Sequence, residues 1–115
     1  MIYQWWIFLA SLDPVQGSEQ AGKRPVLVVS REAINQLLSV VNVIPITSRK
    51  SLGRVIYPNE VLLPTDQVGL RVDSIALCYQ IRTLDKHRLI QPLTEVKDRR
   101  VRQEILTALR FQLDL

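Results

Sequence analysis

One cysteine, one histidine and four glycines in 115 residues close off several chemistries at the outset. A lone cysteine excludes an intrachain disulfide framework and fits a reducing compartment. Cys78 lies in the apolar run IALCY and reads as a core residue. With one histidine and one cysteine, neither in a clustered ligand pattern, no metal site is expected. A serine–histidine triad would have to use His87, which stands among the charges of LDKHR and reads as solvated. The glycines do not assemble a nucleotide loop of the Walker or dinucleotide type, and no cofactor is expected. The apolar opening MIYQWWIFLASL falls far short of the ~20 residues of a membrane helix. It also lacks the basic flank of a signal peptide. The expectation is a cytoplasmic chain with no membrane partner.

What is present suits one folded domain over residues 1–115. A chain of this length buries roughly two thirds of its unfolded surface, enough for a core with little margin. Apolar residues make up 47% of the sequence, which argues against disorder. The formal charge is +4 and the pI about 9.6, a modest bias toward a polyanionic partner.

Residues Tyr3 to Leu9 read as a strand that Asp13-Pro14 stops, apolar on both faces. One cover could be a second subunit. Trp5 and Trp6 point to opposite faces, so one of them could serve at an interface. PVLVVS from Pro25 to Ser30 is the second strand, with proline at its tolerated first position. Ser30 is a candidate cap for a short helix whose apolar positions are Ile34, Leu37 and Leu38. Val40 to Ile46 is the third strand, Glu60 to Leu63 the fourth and Ser74 to Tyr79 the fifth. Gln80 to Arg88 is polar, with room for one helical turn, and Leu89 to Leu93 is a short last strand. Thr94 to Leu113 is a long helix capped by Thr94, with Val101, Ile105 and Leu109 at i+4 spacing. Connections too short for repeated crossovers favour a small curled antiparallel sheet, an α+β fold.

The stretch LDPVQGSEQAGKRPVLVV, Leu12 to Val29, holds turn signals, a carboxylate and the adjacent cations Lys23 and Arg24. Arg24 stands where loop meets strand, so the sheet can hold its stem while the guanidinium reaches a ligand. A solvated strand edge, or an ion pair of Arg24 with Glu19 or Asp13, also fits. Thr47 immediately follows strand three. Were strands two and three antiparallel neighbours, the two residues would lie at ends that do not meet. A curl of the sheet, or another pairing, would bring them together. The segment TSRKSLGRVIYP holds Arg49, Lys50 and Arg54 without an acid.

Arginine, hydroxyl and carboxylate groups at strand ends suit metal-free RNA cleavage. RNA carries its own nucleophile in the 2′-hydroxyl. The reaction then needs a proton acceptor, a donor to the leaving 5′-oxygen and positive charge on the phosphorane-like transition state. Arginine binds phosphate through paired donors, and its high pKa makes its role mainly electrostatic.

Leu12-Asp13-Pro14, the run GSEQAG from Gly17 to Gly22, Arg24-Pro25, Pro45-Ile46-Thr47-Ser48, Asp73-Ser74 and QIRTLDK from Gln80 to Lys86 together resemble the MazF/PemK toxin family. The resemblance spans roughly residues 8 to 113 of the sequence. It implies a type II toxin with a compact SH3-like β-barrel, a short helix after strand two and a long C-terminal helix. It implies a homodimer that cuts single-stranded RNA at short sequences without metal, leaving a 2′,3′-cyclic phosphate and a 5′-hydroxyl. A cognate antitoxin with an acidic, disordered tail would wrap the dimer and block the RNA groove.

By the same resemblance Arg24 is the catalytic arginine and Thr47 the active-site threonine, with Glu19 and Ser18 beside them. Arg24 would stabilise the transition state and take part in proton transfer, and Thr47 would bond the scissile phosphate or the 2′-oxygen. Glu19 would be the base or the orienter of Arg24, and Ser18 a phosphate donor. Lys23, Arg49, Lys50 and Arg54 are expected against RNA, while Gln80 and Arg82 support the site or line the groove. The opening MIYQWWIFLAS departs from the polar turn with which members commonly begin, which bears on the groove edge and the antitoxin contact. Two other readings fit the residues: a toxin-like module that binds a protein such as DNA gyrase, and a silent RNA or antitoxin binder.

Overall fold

The computed structural model describes residues 1–49 and 54–115. Among these, seven strands form one curled antiparallel sheet: β1 (Trp6–Ser11), β2 (Lys23–Val28), β3 (Val40–Ser48), β4 (Glu60–Leu63), β5 (Ser74–Leu77), β6 (Arg82–Asp85) and β7 (Leu89–Glu95). Three helices join them: α1 (Glu32–Leu37), α2 (Thr65–Val68) and α3 (Arg99–Leu113). The strands run in the order β4-β5-β3-β2-β1-β7. No described pairing joins β4 to β7, so the expected barrel is an open curl. No described helix is long and apolar enough to cross a membrane.

The nine-residue β3 is the spine. One edge pairs with β2, and the other pairs first with β6 through Val40–Val43 and then with β5 through Ile46–Ser48. Because side chains alternate along a strand, the apolar runs feed two cores. Ile7, Leu27, Ile44 and Ile46 face a cluster closed by Val61, Leu63 and the Val101, Ile105 and Ala108 stripe of α3. Phe8, Val26, Val28, Val41, Val43 and Leu84 face a second cluster that the curl of the sheet encloses. Each such side chain contributes about 1.5–3 kcal/mol when fully buried. Cys78 is completely buried in the first cluster, as its apolar setting implied, and burial pushes its thiol up to about 12.

Several local expectations change. The first strand begins at Trp6 rather than Tyr3, because Trp5 has φ +68° and breaks the extended run. Trp5 packs on the first core and Trp6 on the second, so both are partly covered within the chain. Ser30 does not cap α1: Arg31 holds that position, and the Ser30 hydroxyl donates to Asn35 Oδ1 at 2.5 Å. Asn35 is the buried residue of α1, whereas Ile34, Leu37 and Leu38 are exposed. Glu32 fixes the helix instead, its Oε1 accepting the backbone N–H groups of Tyr3 and Gln4.

The last helix starts five residues later than the sequence pattern suggests. Thr94 and Glu95 end β7, opposite Ile7 and Trp6 of β1. Asp98 is the cap, accepting from the N–H groups of Arg100 and Val101 at 2.8 and 3.1 Å. The polar segment after Tyr79 contains β6, flanked by 3₁₀ turns at Cys78–Gln80 and Lys86–Arg88.

Candidate functional site

The loop between β1 and β2 is built by its own polar groups. Leu12 is fully buried and its N–H donates to the Gly22 carbonyl at 2.9 Å, closing the base of the loop. The Gly22 N–H donates to Asp13 Oδ1 at 3.0 Å, and Gly22 itself sits at φ +75°, where a side chain would be strained. Further out, Glu19 Oε1 accepts from the Gln16 N–H at 2.6 Å. Ser18 and Glu19 remain exposed.

Side chains from β6 and its flanking turns then tie this loop down. Gln80 Oε1 accepts from the Gln20 N–H at 2.9 Å, while its Nε2 donates to the Ser18 carbonyl at 3.4 Å. Arg82 Nη1 donates to the Leu12 carbonyl at 3.3 Å. Arg88 donates to the carbonyls of Asp13 and Ser11. The sequence reading had no place for Arg88. Gln80 and Arg82 hold the loop and also line the cleft beneath it, a hollow of about 400 Å³ shared with Ser18, Glu19, Pro45 and Tyr79.

Arg24 and Thr47 come to the same end of adjacent strands. β2 and β3 are antiparallel neighbours with Val26 opposite Pro45, and the same register carried on two residues sets Arg24 opposite Thr47. The sequence expectation that antiparallel neighbours would hold these ends apart is therefore wrong. The start of one antiparallel strand lies beside the end of the next. Arg24 is half-buried, and its Nε donates to the Ala21 carbonyl at 3.2 Å rather than to Glu19 or Asp13.

Arg24 and Thr47 also line a second hollow, of about 410 Å³, together with Ser48, Arg71, Ser74 and Leu93. Consecutive residues of β3, Pro45 and Ile46, belong to the first and second hollow respectively, so the two flank the end of that strand. No described carboxylate lines the second hollow, which carries two arginines. Asp73, close by in sequence, is held by the Thr65 N–H and hydroxyl at 3.0 and 2.8 Å. Those bonds keep its carboxyl below the usual range. Arg71 lies in the segment between α2 and β5. Only its lining of the same hollow as Arg24 singles it out.

The remaining cations differ. Lys23 is exposed at the start of β2, opposite Ser11. Arg49 is half-buried, its N–H donating to the Asp73 carbonyl at 2.8 Å. Lys50 lies outside the described residues. Arg54 grips Glu60 with both terminal nitrogens, at 2.8 and 3.2 Å. The Glu60 side chain is only 2% exposed, and the Arg54 hydrogen bond holds its carboxyl below the usual range despite burial. His87 is solvent-exposed and pairs with Asp85 at 3.0 Å. Among the described residues no three His, Cys, Asp or Glu side chains cluster to hold a metal ion.

The family of PemK-like, MazF-like toxins of type II toxin–antitoxin systems matches residues 3–113. The chain belongs to that family. An endoribonuclease MazF of Staphylococcus saprophyticus is 38% identical over 109 residues, covering 95% of this chain and 88% of the relative. The crystal structure of MazF from Deinococcus radiodurans superposes with a TM-score of 0.82 at 29% identity, over 100% of this chain and 99% of that one. A MazE–MazF structure from the same organism matches with a TM-score of 0.74 at 26% identity, covering 100% and 98%. For this PemK/MazF-family chain the expected α+β fold holds.

Proposed function

We propose that this toxin-family chain is an endoribonuclease that cuts single-stranded RNA at short sequences, using the substrate's own 2′-hydroxyl. The observation that carries the reading is that Arg24 and Thr47, on adjacent strands, line one hollow at the end of β3 in which no described carboxylate takes part. The 2′-oxygen attacks the adjacent phosphorus, its proton passes to a base and the bond to the 5′-oxygen breaks. Arg24, or a water beside it, delivers a proton to that oxygen, leaving a 2′,3′-cyclic phosphate and a 5′-hydroxyl. No metal is required, because the nucleophile is internal and a guanidinium offsets the phosphorane charge.

In this scheme Arg24 binds the non-bridging oxygens and Thr47 hydrogen-bonds the scissile phosphate or the 2′-oxygen. Glu19 is the candidate base. Its Oε1 is engaged by the Gln16 N–H, so Oε2 is the oxygen that takes the proton. Its alternative role, orienting Arg24, loses support because Arg24 Nε turns to Ala21. Ser18 and Lys23 contact phosphates, as do Arg49 and Lys50. Arg82 and Gln80 shape the groove by fixing the loop. Arg54 serves Glu60 first.

The active form is a homodimer of one-domain subunits in the cytoplasm. The uncovered apolar residues Phe111 and Leu113 of α3, and Ile34, Leu37 and Leu38 of α1, support a protein partner. A cognate antitoxin with an acidic, disordered tail occupies the basic groove, in line with the MazE–MazF complex known for the Deinococcus radiodurans toxin.

The test incubates purified protein with a long unstructured RNA in EDTA, beside Arg24→Ala, and maps new ends by primer extension. Discrete cuts at one short motif, absent with the variant, are the expected result. Intact RNA from a folded wild-type protein across varied substrates overturns the reading.

A further inference from the structure

Asp13 and Arg24 are joined through a single peptide unit. Arg24 Nε donates to the Ala21 carbonyl at 3.2 Å. The N–H of that same peptide, on Gly22, donates to Asp13 Oδ1 at 3.0 Å. The Ala21–Gly22 peptide is thus held at both ends, by a guanidinium on one side and a carboxylate on the other. Gly22, at φ +75°, supplies the turn that presents the peptide in this way.

Asp13 is itself anchored. Its carbonyl accepts from Arg88 Nη1, which also reaches the Ser11 carbonyl at 3.5 Å. Between them the Leu12 carbonyl accepts from Arg82 Nη1 at 3.3 Å. Three successive carbonyls at the end of β1 are therefore tied to two guanidinium groups. The origin of Arg88 is fixed by strand pairing: Leu89, the next residue, stands opposite Ala10, and Ala10 stands opposite Arg24. Asp85, the acid nearest to Arg88 in sequence, is engaged by the N–H and ring of His87. Half-buried, Arg88 directs its donors to the main chain at the root of the loop.

We propose that Asp13 is a positioning residue for RNA cleavage, which orients the Arg24 guanidinium through the Ala21–Gly22 peptide and is held in place by Arg88. The proposal rests on the RNA-cleaving reading above and adds what aims its cation. A guanidinium is planar and rigid, so a partner at Nε restricts the whole fork. Charge aimed before the transition state forms needs no reorganisation during the reaction. A misplacement of about 1 Å at such a group costs on the order of 100-fold in rate. What Asp13 contributes is an acceptor for one N–H, which an amide oxygen also provides.

The test is steady-state cleavage of an RNA carrying the mapped cut sequence by wild type, Asp13→Ala, Asp13→Asn and Arg88→Ala. Each is also made in an Arg24→Lys background, where lysine keeps the charge but lacks the Nε–H that meets Ala21. Urea titration sets conditions under which every variant is folded. Asp13→Ala should lower kcat about 10- to 100-fold and leave KM within about twofold of wild type. Asp13→Asn should cut close to the wild-type rate. Arg88→Ala, one step further along the relay, should lower kcat by a smaller factor. With Arg24→Lys neither alanine should slow cleavage further, because the bond through which they act is gone. In protein without RNA, the Arg24 Nε–H should exchange with water faster in Asp13→Ala than in wild type, as read by NMR.

An Asp13→Ala protein with the wild-type kcat would overturn the relay while leaving the nuclease reading intact. So would an equal loss of kcat in the Arg24→Lys background, an Asp13→Asn as slow as the alanine, or unchanged Nε–H exchange. Should Asp13→Ala fail to fold, Arg88→Ala decides: a loss of kcat confined to the Arg24 background supports the relay, and no loss overturns it. A wild-type protein that cuts no RNA overturns both readings.

Discussion

Arg24, on β2, and Arg54, paired with Glu60 of β4, are both half-buried arginines, and they are held in opposite ways. Arg24 donates through Nε to a backbone carbonyl and lines a hollow that no described carboxylate shares. Arg54 closes both terminal nitrogens on a buried glutamate. On the proposed function one guanidinium serves the RNA, while the other is paired within the fold. The lesson is that a basic loop is not uniformly a polyanion surface. A carboxylate six residues along can claim one of its cations for structure.

The comparison breaks most clearly at Arg24. Arg24→Ala should lower kcat for RNA cleavage roughly 100- to 1,000-fold, as loss of one preorganised charge donor does. Its folding free energy should stay within about 0.5 kcal/mol of wild type by urea titration, because no buried partner is orphaned. Glu60→Ala should do the reverse. It should lower the urea midpoint, though by less than breaking a fully buried pair, because the Arg54 side chain left behind is 36% exposed and reached by water.

Acid sharpens the same contrast. The carboxyl of Glu60 lies below its ordinary value of 4.5 in the folded chain, chiefly through the Arg54 hydrogen bond. Its contribution is therefore complete above the unfolded value and is lost as pH falls through the lowered folded one. The thermal stability of wild type should fall below pH 4.5, and Glu60→Gln should show a shallower loss over that range. The smallest effect is expected at Arg71, exposed in the hollow of Arg24. Arg71→Ala should raise KM roughly 3- to 10-fold and reduce the salt dependence of RNA binding by about 0.7 in log–log slope.

Much of this arrangement is legible in the sequence where apolar pattern and motif agree. β2 to β5 and the buried stripe Val101–Ile105 of α3 follow from periodicity, and the GSEQAG run marks the loop that roofs the first cleft. β6 escapes because only Leu84 of its four residues is buried, and its extended form comes from pairing with β3, a contact distant in sequence. The exposed face of α1 escapes for a related reason. Asn35 is satisfied by Ser30 and Glu32, so a polar residue occupies the inward position that the leucines suggested. Arg71 and Arg88 carry no local signal, since their positions in the site depend on where two turns fold back. The division of labour between Arg24 and Arg54 needed the registers of β2, β3 and β4.

The central claim is that the nucleophile is the substrate's own 2′-hydroxyl, activated beside Arg24 and Thr47. Its most direct test is a short RNA carrying the mapped cut sequence with a single 2′-deoxy nucleotide on the 5′ side of the scissile phosphate. The account predicts binding equal to the all-ribose strand and no cleavage at that bond. A deoxy-substituted strand cut at the same bond and a comparable rate would contradict it.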